Sequence, residues 1–163
     1  MVANNEIGTI QPIKEIGKIA QEKGIYFHTD AVQAMGNVDI DVDELNIDLL
    51  SMSAHKFYGP KGVGALYIRE GVKIDPFIAG GAQEQKRRAG TENVPGIVGL
   101  GTALELAYKN IDEHNKKLAF LRDKLIKKVF DNIDYVRLNG HPTDRLAGNA
   151  SFCFKYIEGE SML

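Results

Sequence analysis

The chain's 163 residues suffice for one domain with a sizeable core, and 44% hydrophobic with 26% charged residues is the balance of an ordinary soluble globular protein. A net charge of −2 gives no electrostatic case for nucleic acid or an anionic membrane surface. No apolar stretch approaches the roughly 20 residues needed to cross a bilayer, the opening Asn4, Asn5 and Glu6 offer no signal-peptide core, and one cysteine cannot close an internal disulfide, so a cytoplasmic, reducing home is expected.

Near the start, Asn4-Asn5 reads as a polar turn on residue preferences alone. After Pro12 the apolar residues Ile13, Ile16, Ile19 and Ala20 recur at helical spacing up to a capping Gly24, which predicts an amphipathic helix packed on a sheet. Ile25 to His28 then reads as a short buried strand. The helix-strand alternation predicts crossover units and an α/β fold with a mostly parallel sheet. It places Asp30 just past a strand's carboxyl end, where open α/β sheets bind ligands. His28 has two readings, a satisfied structural histidine or a side chain touching a ligand. Val42 to Asn46 is expected as a short helical turn leading into a strand over Ile47 to Met52.

The next segment, Ser53-Ala54-His55-Lys56-Phe57-Tyr58-Gly59-Pro60-Lys61-Gly62, sets a lysine on the connection between that strand and another over Gly64 to Ile68. Its glycines and proline allow a tight turn and close approach to a ligand. It ends in no Gly-Lys-Ser/Thr and lacks the Gly-x-Gly-x-x-Gly order, which counts against a nucleotide site. Lys56 on its own could be a solvated loop lysine. A lysine amine can instead bond a carbonyl carbon once it has lost its proton, the chemistry used with pyridoxal phosphate. His55 and Ser53 beside it, and Asp30 and Gln33 at another strand exit, favour the second reading, because a pyridoxal ring needs a carboxylate facing its nitrogen to act as an electron sink.

Gly80 to Thr91 is a polar, mobile-looking segment whose cluster Lys86-Arg87-Arg88 suits an anion better than a nucleic acid. From about Pro95 to Ile133 the apolar residues keep a helical rhythm too long for one globular helix, so a kink is expected between Asn110 and Asn115. Tyr135 to Leu138 and Ala150 to Tyr156 read as strands, with Cys153 packed in the second as a small hydrophobe, and His114 and His141 read as surface residues.

Three separated motifs, His28-Thr29-Asp30-Ala31-Val32-Gln33, Ser53 through Gly62, and Arg88-Ala89-Gly90-Thr91-Glu92-Asn93, resemble those of the cysteine desulfurases in the class V aminotransferase group of fold-type-I pyridoxal enzymes, in the same order and at similar spacing. The resemblance covers almost the whole chain. It implies the central part of the fold-type-I large domain over residues 1–95, a long connecting helix over 96–133 and the first part of a small α+β domain over 134–163. It implies a pyridoxal 5'-phosphate cofactor linked to Lys56, the catalytic residue, and held by Asn5, Asp30, Gln33, Ser53, His55 and Thr91, the threonine serving the other subunit of a homodimer. The implied reaction turns L-cysteine into L-alanine and passes sulfur to an enzyme cysteine, then to an acceptor scaffold protein, for iron-sulfur cluster or thio-cofactor assembly. The family's ring-stacking histidine and catalytic cysteine loop have no counterpart in these residues, so a central fragment, inactive alone, is expected. A selenocysteine lyase, an aminotransferase, or a non-catalytic domain keeping the fold are the other readings.

Overall fold

The structure, a computed structural model, describes residues 1–162; Leu163, the last residue of the expected small-domain portion, lies outside the described residues. In chain order it contains α1 (Ile13–Glu22), β1 (His28–Asp30), β2 (Leu49–Ser53), a 3-10 turn (Ala54–Phe57), β3 (Gly64–Ile68), a single helical turn α2 (Gln83–Lys86), α3 (Val94–Lys109), α4 (Ile111–Asn132), β4 (Val136–Leu138), β5 (Phe152–Phe154) and a closing 3-10 turn (Gly159–Met162).

Helix α1 forms where expected but buries a different stripe. Ile13 and Gly17 are buried and Ala20 is half-buried, at i, i+4 and i+7, whereas Ile16 and Ile19 are 40% and 57% exposed on the flank. Gly17 decides this, because a side chain there would run into the Leu45 carbonyl. The helix ends with Gly24 in the left-handed region (φ +63), the Gly24 N–H on the Gln21 carbonyl and the Ile25 N–H on the Ala20 carbonyl. The chain then needs Ile25 and Tyr26 to turn back, and both are exposed, so the first strand starts three residues later than expected and Asp30 is its last residue rather than lying just past its end.

The three-stranded sheet has the order β1-β2-β3 and is mixed. Strand β1 runs parallel to β2 with Asp30 opposite Ser51, and β3 runs antiparallel to β2 with Gly64 opposite Ser53. Strand β3 is the antiparallel member for a simple reason. A parallel return needs a crossover of a dozen or more residues, and the connection from Ala54 to Val63 holds only a turn. Between β1 and β2 the chain makes two short helical turns instead of a full helix, one through Ala31–Val38 and the expected one through Asp41–Asn46, where the Asp41 carboxylate accepts from the Asp43 and Glu44 N–H groups.

Alternation along the sheet directs Thr29, Leu50 and Met52 to one face and His28, Asp30, Ser51 and Ser53 to the other. The first face makes the core, in which Leu50 joins Val2, Ile13, Ala34, Ile47 and Phe57. Helix α3 packs onto the core through Leu100, Ala103, Leu104 and Ala107, and the Tyr108 hydroxyl donates to the Val38 carbonyl (3.1 Å). The Asn93 side chain caps α3, and α3 and α4 part at Asn110 (φ −129, ψ 23), inside the interval where the kink is expected.

Strands β4 and β5 pair antiparallel and are shorter than expected. Tyr135 (φ 57) and Tyr156 (φ 66) adopt left-handed backbone at one end of the pair, which ends the ladder there. Cys153 does lie in β5, but on the exposed face opposite Phe152 and Phe154, so it does not pack as a small hydrophobe. Among the described residues no helix is long and apolar enough to cross a membrane.

Candidate active site

Parallel pairing of β1 and β2 brings their carboxyl ends to one edge of the sheet, and most of the candidate residues lie there. Asp30 is half-buried, and its Oδ1 accepts from the Val32 N–H (2.8 Å), which leaves Oδ2 without a partner among the described residues. The same turn carries Gln33, half-buried, whose backbone carbonyl accepts from Asn37 Nδ2 (3.2 Å) while its own side-chain amide makes no bond among the described residues.

The 3-10 turn after β2 presents Lys56. Ala54 and Phe57 are buried and anchor it, so the two residues between them, His55 and Lys56, face outward. The turn closes with the Gly59 N–H on the Ala54 carbonyl (2.9 Å) and Tyr58 in the left-handed region. Ser53 Oγ and His55 Nδ1 are 2.9 Å apart, so a hydroxyl and an imidazole form one polar pair at the strand's end. Lys56 has no hydrogen bond or ion pair among the described residues and leaves its amine free.

His28 lies on the same sheet face, with its Nε2 2.8 Å from Ser51 Oγ, which meets the satisfied structural reading. Asn5 lies on the loop that follows Val2. The Val2 N–H donates to the Asp30 carbonyl (2.8 Å), setting the start of the chain beside the end of β1, and the Asn5 carbonyl accepts from Asn149 Nδ2 (2.6 Å). Thr91 is exposed three residues before α3 and forms no hydrogen bond with the other candidates. A groove of about 750 Å³ opens between the turn and α3, lined by Met35, Asn37, Tyr58, Leu106 and His114, and it takes in Lys56 but none of the other candidates. The chemistry-bearing set therefore belongs to the sheet edge rather than to this groove.

Two residues that spacing did not single out, Arg145 and Asn149, lie against the loop that carries Asn5. Arg145 is 4% exposed, yet nothing in Thr143-Asp144-Arg145-Leu146 distinguishes it from a surface arginine in a polar loop.

Cys153 Sγ accepts from Asn139 Nδ2 (3.2 Å) and lies 3.8 Å from Arg137 Nη2. Hydrogen bonding from Asn139 and then from Arg137 lowers the thiol pKa below its ordinary value. Thiolate forms more readily there, so alkylation by iodoacetamide is expected to reach half its maximal rate at a lower pH than for free cysteine. Asn139→Ala should move that midpoint up, and an unchanged midpoint would remove the hydrogen bonds as its cause.

Residues 1–163 match the family described as aminotransferase class-V. A cysteine desulfurase IscS from Methanosarcina thermophila is 69% identical over 163 residues, all of this chain and 40% of the relative. A solved structure described as a NifS-like protein superposes with a TM-score of 0.93 at 41% identity, over 99% of this chain and 44% of that one. Another, described as SspA in complex with cysteine, has a TM-score of 0.62 at 56% identity, over 64% of this chain and 30% of that one. The chain spans about two fifths of the length of the curated relatives it matches. With the match running from the first residue to the last, the chain belongs to the aminotransferase class-V family.

Proposed function

We propose that this chain forms the central, cofactor-holding portion of a cysteine desulfurase that uses pyridoxal 5'-phosphate. The observation that carries the reading is Lys56, unpartnered on a turn fixed by Ala54 and Phe57, next to the Ser53–His55 pair and on the sheet edge where Asp30 keeps one carboxylate oxygen free. The donor set fits the cofactor: an amine, a hydroxyl, an imidazole, a carboxylate and an amide, all with unused bonding capacity. When bound, pyridoxal phosphate supplies an aldehyde carbon for amines and a pyridinium ring that withdraws electrons from an amino acid's α carbon.

The roles follow from what each atom can do. The Lys56 amine would hold the cofactor through its aldehyde carbon, with water released, and would carry a proton to and from the substrate's α carbon. Asp30 Oδ2, free of a partner among the described residues, would keep the ring nitrogen protonated. Ser53 Oγ and His55 would donate to the phosphate, Gln33 would donate to the ring's phenolic oxygen, and Asn5 would bind the ring from the chain start. Thr91, exposed and without a hydrogen bond to the other candidates, would serve a phosphate held by the second subunit of a homodimer.

The substrate is L-cysteine and the product L-alanine, with sulfur passed to an enzyme thiolate and on to an acceptor scaffold protein for iron-sulfur cluster assembly in the cytoplasm. Cys153 is not that thiolate, because β5 and its Asn139 contact hold it in a strand whereas a carrier must swing. Residues 1–95 hold the cofactor, 96–133 connect, and 134–163 begin the small domain, so these 163 residues alone are expected to show no turnover. The test is titration with pyridoxal phosphate followed by borohydride and peptide mapping. A visible absorbance band with label on the Lys56 peptide supports the proposal. Label spread evenly over the lysines would sink it and favour the non-catalytic reading.

A further inference from the structure

The loop that carries Asn5 is held in place by an arginine with no acidic partner. Arg145 spreads its guanidinium over neutral oxygens alone, with Nε on the Asn149 carbonyl (3.1 Å), Nη1 on the His141 carbonyl (3.3 Å), and Nη2 on the Ile7 carbonyl (3.2 Å), the Asn139 carbonyl (3.1 Å) and Asn149 Oδ1 (3.0 Å). No carboxylate accepts from it among the described residues. Burying a cation without a counter-charge costs stability that a hydrophobic side chain would not cost, so a purely packing role is a poor account of it. What the arginine provides is geometry. Its rigid fork binds two distant stretches of chain, Ile7 on one side and Asn139 to Asn149 on the other.

The two stretches interlock elsewhere as well. Thr9 bridges Arg145, the Ile10 N–H donates to the Asp144 carbonyl (2.9 Å), the Leu146 N–H to the Gly8 carbonyl (2.9 Å), and the His141 N–H to Thr9 Oγ1 (2.9 Å). Gly8 takes φ +78, and a side chain on it would collide with Asn149. Asn149 is the hinge of the arrangement. Its Oδ1 accepts from Arg145, which turns its Nδ2 toward the Asn5 carbonyl at 2.6 Å. The Asn5 backbone is thereby fixed while its side-chain amide stays unbonded and exposed.

We propose that Arg145 and Asn149 are positioning residues for the cofactor site, a relay from residues 139–149 that fixes where Asn5 offers its side chain. The inference rests on the functional reading above, since it requires Asn5 to face pyridoxal phosphate. Burial, followed by the nearby Arg122 charge, lowers the Arg145 pKa, in keeping with a cation held for its shape.

The test uses the protein carrying this segment and compares it with Asn149→Asp, Arg145→Met and Arg145→Lys. Asn149→Asp keeps an oxygen for Arg145 and removes the donor to Asn5, so it separates positioning from folding. Pyridoxal phosphate affinity, the absorbance maximum of the bound cofactor and hydrogen exchange at the Gly8 and Ile10 amides are measured beside the melting temperature. Asn149→Asp is expected to melt no lower than the parent, because its carboxylate gives Arg145 a counter-charge, to bind pyridoxal phosphate roughly tenfold more weakly, as for loss of one net hydrogen bond, and to shift the absorbance maximum. Arg145→Lys should not rescue, because an ammonium cannot span the same oxygens. Parent-like affinity and absorbance in a folded Asn149→Asp protein overturn the inference while leaving the functional proposal standing. A parent that binds no pyridoxal phosphate overturns both. If the Arg145 variants fail to fold, Asn149→Asp alone decides.

Discussion

Replacing Lys56 by alanine is expected to lower alanine production from L-cysteine by about 10²- to 10⁴-fold in the whole enzyme, the range for loss of a positioned acid-base group. The melting temperature should hardly move. The side chain is exposed, bonds nothing among the described residues, and the turn is anchored by Ala54 and Phe57 on either side, so the change is a surface substitution worth roughly ±0.5 kcal/mol in the absence of cofactor. Lys56→Arg should be as inactive, because a guanidinium cannot lose its proton to bond a carbonyl carbon. Borohydride labelling should vanish from the mapped peptide in both variants. Retention of more than a tenth of parental activity in Lys56→Ala would assign the chemistry to another residue.

Much of this site was legible because its residues follow strand ends, where short-range pattern and chemistry coincide. Ser53, His55 and Lys56 stand on a turn bounded by two apolar runs, and the structure keeps both the strands and the turn. Asp30 was found by the same logic, although β1 begins later than the apolar run suggests because the Gly24 cap uses Ile25 and Tyr26 to reverse the chain. The break at Asn110 was legible from helix length alone.

Arg145 was not legible, since all but one of its partners are backbone carbonyls, as far away as Ile7, and long-range backbone pairing leaves no periodic trace. The exposure of Cys153 was half-legible. Alternation in β5 put it opposite the phenylalanines, but which face met the core depended on α4, where Phe130 packs edge-on against Phe152 at 6.4 Å between ring centres. The antiparallel β3 also escaped, since an apolar strand reads alike in either direction and only the length of the preceding connection distinguishes them.

Truncating Leu50 to alanine is expected to destabilise the fold by about 2–5 kcal/mol, the range for deleting a fully buried leucine together with the cavity it leaves. Leu50 is 2% exposed in the central strand β2, opposite Thr29 of β1 and Tyr67 of β3, so neither neighbour can collapse into the space without breaking strand register. A domain of this size loses roughly 2–4 °C of melting temperature per kcal/mol, which predicts a drop of about 4–20 °C by differential scanning calorimetry. Leu50→Met, which keeps the volume, should cost less than about 1.5 kcal/mol. Because β2 runs directly into Ser53 and Lys56, the same truncation should loosen the cofactor site, and pyridoxal phosphate at about 100 times its dissociation constant should return roughly 2.7 kcal/mol of stability if it binds only the folded chain. Equal melting temperatures for Leu50→Ala and Leu50→Met would show that the sheet closes around the missing side chain and that β2 is not the rigid base on which Lys56 is carried.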